Sequence, residues 1–129
     1  GDKKLFSQKL RNILKKSELK TSYNQKIQVN VALNYGSKSE IVNAVKQIKK
    51  KKELITEKNI ENNLYTAGIP NPDLLIRTGN TKRLSNFLLW QLAYTEIFFE
   101  KKLWPDFDVK DYIKLLNKFK KLKRNFGNI

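Results

Sequence analysis

The chain has no cysteine, no histidine and no methionine, and it carries 12 acidic residues against 27 basic ones in 129 positions. Absent cysteine excludes disulfides, thiolate zinc sites and cysteine nucleophiles. Absent histidine removes the usual proton shuttle and the commonest metal ligand. Any catalysis must therefore use carboxylates, hydroxyls, Lys or Arg, or a hard metal held by oxygen. With no methionine and Gly1 as its first residue, the chain is expected to be a fragment or a processed chain. The longest apolar runs, residues 87–90 and 97–99, fall far short of the ~20 residues that span a bilayer. Gly1-Asp2-Lys3-Lys4 shows no signal-peptide pattern, so a cytoplasmic protein is expected.

What is present is enough for one modest core: 40% hydrophobic and 11% aromatic residues exclude a wholly disordered basic tail. The net charge of +15 is spread along the chain, with 15 basic and 6 acidic residues in positions 1–64 and 12 and 6 in positions 65–129. Of the cations, 23 are Lys and four are Arg (Arg11, Arg77, Arg83, Arg124). Abundant Lys, Asn and Ile together suggest an AT-rich coding sequence, which discounts the charge as a sign of nucleic-acid binding. The rarer arginines are the more informative cations.

Helical spacing of Leu5, Phe6, Leu10, Ile13 and Leu14 predicts an amphipathic helix over residues 5–19. Strict alternation of Ile27, Val29, Val31 and Leu33 predicts a strand. After Asn34-Tyr35-Gly36, Ser37 and Glu40 read as a capping box for a helix bearing Ile41, Val42, Ala44, Val45 and Ile48. The four lysines at 49–52 suit the carboxyl end of that helix better than a nucleic-acid patch. A shorter helix is expected from Thr56-Glu57, carrying Ile60 and Leu64. Leu74-Leu75-Ile76, ended by Arg77, reads as a strand buried on both faces. A helix is expected over 84–94, an irregular aromatic stretch from Ile97 to Pro105, and a last helix capped by Asp108. This order predicts an α/β fold with part of a parallel sheet flanked by helices. Two strands make a poor sheet, so further strands are expected to be missing.

Chemistry concentrates in residues 77–86. Three cations (Arg77, Lys82, Arg83) and the hydroxyls of Thr78, Thr81 and Ser85 lie between a strand end and an expected helix start. Ligands in open α/β sheets bind beyond the carboxyl ends of strands, and a helix start favours anions. Arg77 and Arg83 suit bidentate contact with phosphate oxygens, and Ser85 offers a hydroxyl. A phosphate or diphosphate site is one reading; the other has Arg77 paired with a carboxylate and Ser85 serving only as a cap. Glu96 is the second candidate. Set among Tyr94, Ile97, Phe98 and Phe99, its carboxylate is expected to pair with Arg77 or Arg83, or to help hold Mg²⁺.

Several stretches are familiar: Asn34-Tyr35-Gly36 with Glu40-Ile41-Val42, the run 72–79 (PDLLIRTG), the run 83–96 (RLSNFLLWQLAYTE), and 103–107 (LWPDF). Together they closely resemble the cis-prenyltransferase family, nearest the bacterial undecaprenyl diphosphate synthases (isoprenyl transferases). The resemblance runs over essentially the whole chain. It implies condensation of isopentenyl diphosphate onto an allylic diphosphate with Mg²⁺, giving undecaprenyl diphosphate, the lipid carrier of cell-wall synthesis. It implies that Arg77, Arg83 and Ser85 bind the diphosphate of isopentenyl diphosphate, and that Glu96 orients this site and helps position Mg²⁺. It also implies a homodimer, with Phe98, Phe99 and Trp104 at the interface, and transient association of the lipid product with a membrane surface.

Departures from the family pattern are visible. Asn80 stands where a second glycine is usual, Lys82 where some members have histidine, and Asn125 replaces the second arginine of the carboxyl-terminal motif, with Arg124 beside it. The family's Asp-Gly-Asn-Gly-Arg-Trp motif, whose Asp binds Mg²⁺ and assists departure of the allylic diphosphate, is absent. The chain is therefore expected to be the C-terminal portion of a single domain, residues 1–129, without a catalytic residue of its own and inactive alone. A non-catalytic accessory subunit is the alternative. A basic nucleic-acid-binding domain is a third reading, set aside for want of any recognition motif.

Overall fold

The computed structural model describes residues 1–124; the expectations at Asn125, Phe126, Gly127 and Asn128 lie outside the described residues. Among the described residues four α-helices and two strands follow in the order α1 (Gln8–Thr21), α2 (Ser37–Lys51), α3 (Glu57–Glu61), β1 (Leu74–Arg77), β2 (Glu96–Phe99) and α4 (Val109–Phe119), with short 3₁₀ turns at Lys3–Leu5 and Trp104–Asp106. β1 and β2 pair in parallel with Leu74 opposite Glu96 and Arg77 opposite Phe99. The α/β class expected from the sequence holds.

The core is small and centred on α2. Ser37, Glu40, Ala44 and Ile48 form one buried stripe at spacings of three and four residues, the period of a helix face. Leu64, Leu92 and, on α4, Leu115 are buried as well. Asp108 and Asp111 form a reciprocal capping box at the start of α4, as Asp108 led one to expect. The lysines at 49–52 are solvent-exposed at the carboxyl end of α2.

Five local expectations fail. Residues 27–33 form no strand, because among the described residues no ladder partner lies beside them; Ile27, Val29 and Val31 stay 77%, 74% and 71% exposed. The first helix begins three residues late, at Gln8, where the Ser7 hydroxyl accepts from the Leu10 amide and caps it.

Ser37 and Glu40 form no capping box. Gly36 is the N-cap, Ser37 Oγ accepts from the Leu89 amide, and Glu40 is fully buried with partners elsewhere. Residues 84–94 form no helix. Ser85, Asn86 and Leu88 adopt φ of 50°, 62° and 45°, outside any right-handed helix, and Asn86 and Leu89 bond to the first turn of α2. The stretch expected to be irregular contains β2, which pairs with β1 through residues 96–99.

Candidate functional site

Arg77 ends β1, and the chain then turns through Gly79 at φ 91° and Asn80 at φ 53°. Asn tolerates this left-handed region better than other non-glycine residues, so Asn80 keeps the turn that a glycine would make. The turn is pinned to the strand on the other side: Glu100 N–H donates to Arg77 O (2.8 Å), Gly79 N–H to Lys102 O (2.7 Å) and Asn80 N–H to Glu100 O (3.1 Å). Beyond it an open depression of about 290 Å³ is lined by Asn80, Thr81, Lys82 and Arg83.

The cations here are uncommitted. Among the described residues Arg77, Lys82 and Arg83 make no ion pair, and Arg77 Nε is buried without a hydrogen-bond partner. A buried guanidinium N–H left without an acceptor is costly, so it is a place where an anion is wanted. The bland alternative, Arg77 neutralised by a carboxylate, does not occur. Ser85 is exposed, on a turn instead of a helix start, so it is not a helix cap and its hydroxyl is free among the described residues. The favourable field of a helix N-terminus, expected at Ser85, is accordingly lacking there. A wider groove of about 1080 Å³ along residues 21–30 gathers only Lys26 against Glu18 and lacks paired cations.

Glu96 is not brought to this group. Side chains alternate between faces along a strand, so Glu96 shares a face with Leu74, Ile76 and Phe98, whereas Arg77 shares the other with Leu75, Ile97 and Phe99. The two are also three registers apart, about 10 Å along the strands. Glu96 pairs with neither Arg77 nor Arg83, and among the described residues no three carboxylates converge. Arg124 is turned inward: Nη1 donates to Asp73 Oδ1 at 2.6 Å and the guanidinium lies 5.5 Å over the Phe119 ring.

Sequence reasoning missed a polar hub beneath the site. Glu40, 0% exposed, accepts from Tyr35 Oη, from the Tyr65 amide (2.8 Å) and from Gln91 Nε2 (3.2 Å), and Gln91 Nε2 also reaches Thr66 Oγ1 (2.9 Å). Burial, and then the bond to Glu40, push the Tyr35 hydroxyl up to about 12. Asn86 joins the hub to the site: its backbone carbonyl accepts from Ser37 N–H (2.8 Å) and its Oδ1 from Lys38 N–H (2.9 Å). Gly36 permits this approach, since a Cβ there would meet Asn86 Nδ2 at 2.7 Å. A charged residue on the apolar stripe of α2 was the available signal.

Comparison with known proteins agrees with the residue patterns. A prenyltransferase family model described as undecaprenyl diphosphate synthase matches residues 1–127. An isoprenyl transferase of Fusobacterium nucleatum is 45% identical over 130 residues, covering 100% of this chain and 56% of that protein. A crystal structure of a probable undecaprenyl diphosphate synthase from Campylobacter jejuni superposes with a TM-score of 0.89 at 37% identity, covering 99% of this chain and 61% of that one. Lavandulyl diphosphate synthase from Lavandula x intermedia, solved in complex with dimethylallyl diphosphate, gives 0.92 at 35% identity, with 99% and 58% covered. The chain thus spans about half the length of the curated relatives it matches.

Proposed function

Because the chain belongs to the undecaprenyl diphosphate synthase family of prenyltransferases, we propose that it serves cis-prenyl transfer, the condensation of isopentenyl diphosphate with an allylic diphosphate. In this reading Arg77, Arg83 and Ser85 dock the diphosphate of isopentenyl diphosphate. The observation that carries it is the uncommitted arginine pair flanking the 78–82 turn, with Arg77 Nε buried and lacking a partner. Two guanidinium forks and a hydroxyl suit diphosphate oxygens in charge and in donor chemistry. They fix the alkene substrate in place, which lowers the entropic barrier to meeting the allylic partner.

Magnesium does not fit as a complete site within these residues. Glu96 is a carboxylate on the face opposite Arg77, and among the described residues it belongs to no group of three acids. A cation held there would draw its other oxygens from substrate and water. Glu96 is what this chain offers to such an ion, and no chemical step is assigned through it.

With no carboxylate cluster among the described residues, we also propose that the 129 residues alone do not ionise an allylic diphosphate and are inactive in prenyl transfer. The same observation favours, as a second reading, a non-catalytic accessory subunit. Phe99 and Trp104 are 43% and 75% exposed and Phe98 is half-buried, and in the first reading these three lie at a homodimer interface. A lipid product would bring the assembled enzyme transiently to a membrane surface from the cytoplasm.

The test is calorimetric titration of isopentenyl diphosphate into the chain and into Arg77→Ala/Arg83→Ala. Removing two charge-assisted contacts weakens binding by about a hundredfold or more. Equal affinity in the two proteins refutes the assigned site.

A further inference from the structure

The segment carrying Ser85 is strained. Ser85, Asn86 and Leu88 all sit at left-handed φ without being glycine. Each such residue is costly and persists only where surrounding structure over-determines it. Here the surrounding structure is the amino end of α2. Four bonds run between them: Ser37 N–H to Asn86 O, Lys38 N–H to Asn86 Oδ1, Leu89 N–H to Ser37 Oγ, and Gln91 Nε2 to the buried Glu40 carboxylate. Two of these satisfy N–H groups that a helix start leaves without internal partners. The segment therefore folds against α2 and gives up the helix its own composition favours.

We propose that Glu40 and Asn86 are positioning residues, which from the amino end of α2 hold residues 85–88 in the left-handed turn that aims Ser85 and Arg83 at a diphosphate. This rests on the diphosphate reading of residues 77–85. Neither residue touches the ligand. Asn86 acts through its neighbour Ser85. Glu40 acts through Gln91, whose amide it binds, and through Tyr35, which donates to it and packs edge-on against Phe87 at 5.7 Å between ring centres. Glu40 suits the role because its carboxylate only accepts, and three donors converge on it without a cation. A glutamine at 40 would turn an N–H₂ toward those donors and break the match.

The match is also reversible on paper. Gln91 Oε1 is buried without a partner. In Glu40→Gln/Gln91→Glu the amide at 40 donates one N–H to a carboxylate at 91 and the other to Tyr35 Oη, which turns to accept, its carbonyl still accepts from the Tyr65 amide, and Thr66 Oγ1 turns to donate to Glu at 91. The experiment measures affinity for inorganic pyrophosphate, well below the unfolding midpoint, for wild type, Glu40→Gln, the double swap and Ile48→Val. Backbone chemical shifts of residues 85–88 are recorded in parallel. Glu40→Gln is expected to weaken pyrophosphate binding about tenfold and to move those shifts, the swap to restore both to within about threefold, and Ile48→Val to lower the unfolding midpoint without changing affinity. If Glu40→Gln does not fold, Asn86→Gly takes its place, with the same expected loss of affinity and shift change.

Wild-type affinity in Glu40→Gln, failure of the swap to restore it, or an equal loss in Ile48→Val overturns the proposal. Shifts that move in Glu40→Gln while wild type binds no pyrophosphate overturn the diphosphate reading and keep only the hold of α2 on the turn. Pyrophosphate binding that is lost in Arg83→Ala but untouched in Glu40→Gln keeps the diphosphate reading and overturns the positioning role.

Discussion

Replacing Asn86 separates two physical contributions that the structure places in one residue. Its Oδ1 accepts from the Lys38 amide at 2.9 Å, in the first turn of α2. Losing an acceptor of that kind costs about 1 kcal/mol, within a range of about 0.5–2. Its backbone sits at φ 62°, where an alanine Cβ costs about 1 kcal/mol more and glycine does not. Asn86→Gly should thus lose about 1 kcal/mol and Asn86→Ala about 2. At about 4 °C per kcal/mol for a chain of this length, midpoints fall by about 4 °C and about 8 °C. Asn86→Asp keeps the acceptor and adds negative charge at the positive end of α2, so at pH 7 it should match or exceed wild type and lose that advantage once the carboxyl protonates. Thermal and urea unfolding of the four proteins give the order directly. Alanine as stable as glycine would refute the held left-handed turn, and glycine as stable as asparagine would refute the bond to Lys38.

Tyr35 keeps its proton to about pH 12 because burial, aided by Glu40, disfavours the phenolate. The raised folded value means this contribution is intact below about pH 10 and fades as pH climbs from there through 12. In a spectrophotometric tyrosinate titration the step near pH 12 should vanish in Tyr35→Phe; an unchanged curve refutes the assignment. The Asp111 carboxyl is held below its ordinary value by Lys102 at 2.7 Å and by the Asp108 amide. That depressed value adds stability above the usual carboxylate range and loses it as pH falls below, so the acid limb of an α4 melting profile should flatten in Asp111→Asn and weaken in high salt. An acid limb identical to wild type counts against the pair.

The sequence disclosed those parts of the molecule whose structure is decided locally. α4 announces itself through Asp108 and an apolar face, β1 through a short apolar run, and Arg77 through being a rare arginine at a strand end. Residues 84–95 were opaque because hydrogen bonds to α2, from 37 and 38 to 86 and from 91 to 40, override a helical composition. β2 was opaque because a strand with Glu at one end and two Phe at the other carries no alternation to see. Residues 27–33 show the converse: the alternation is plain, but a strand exists only with a neighbour to bond to. The chemistry of Arg77, Arg83 and Ser85 was legible as residue types at a strand end, whereas the opposite facing of Glu96 follows from register, which no single segment reveals.

The central claim is that the Arg77–Ser85 segment grips a diphosphate, and the most direct measurement follows the Arg77 Nε–H resonance by NMR while isopentenyl diphosphate is added. That proton has no acceptor among the described residues, so it should shift strongly and saturably together with the amides of residues 78–85. An Arg77 resonance and a turn that stay still at saturating ligand, while the lysines along α2 respond, would contradict the account.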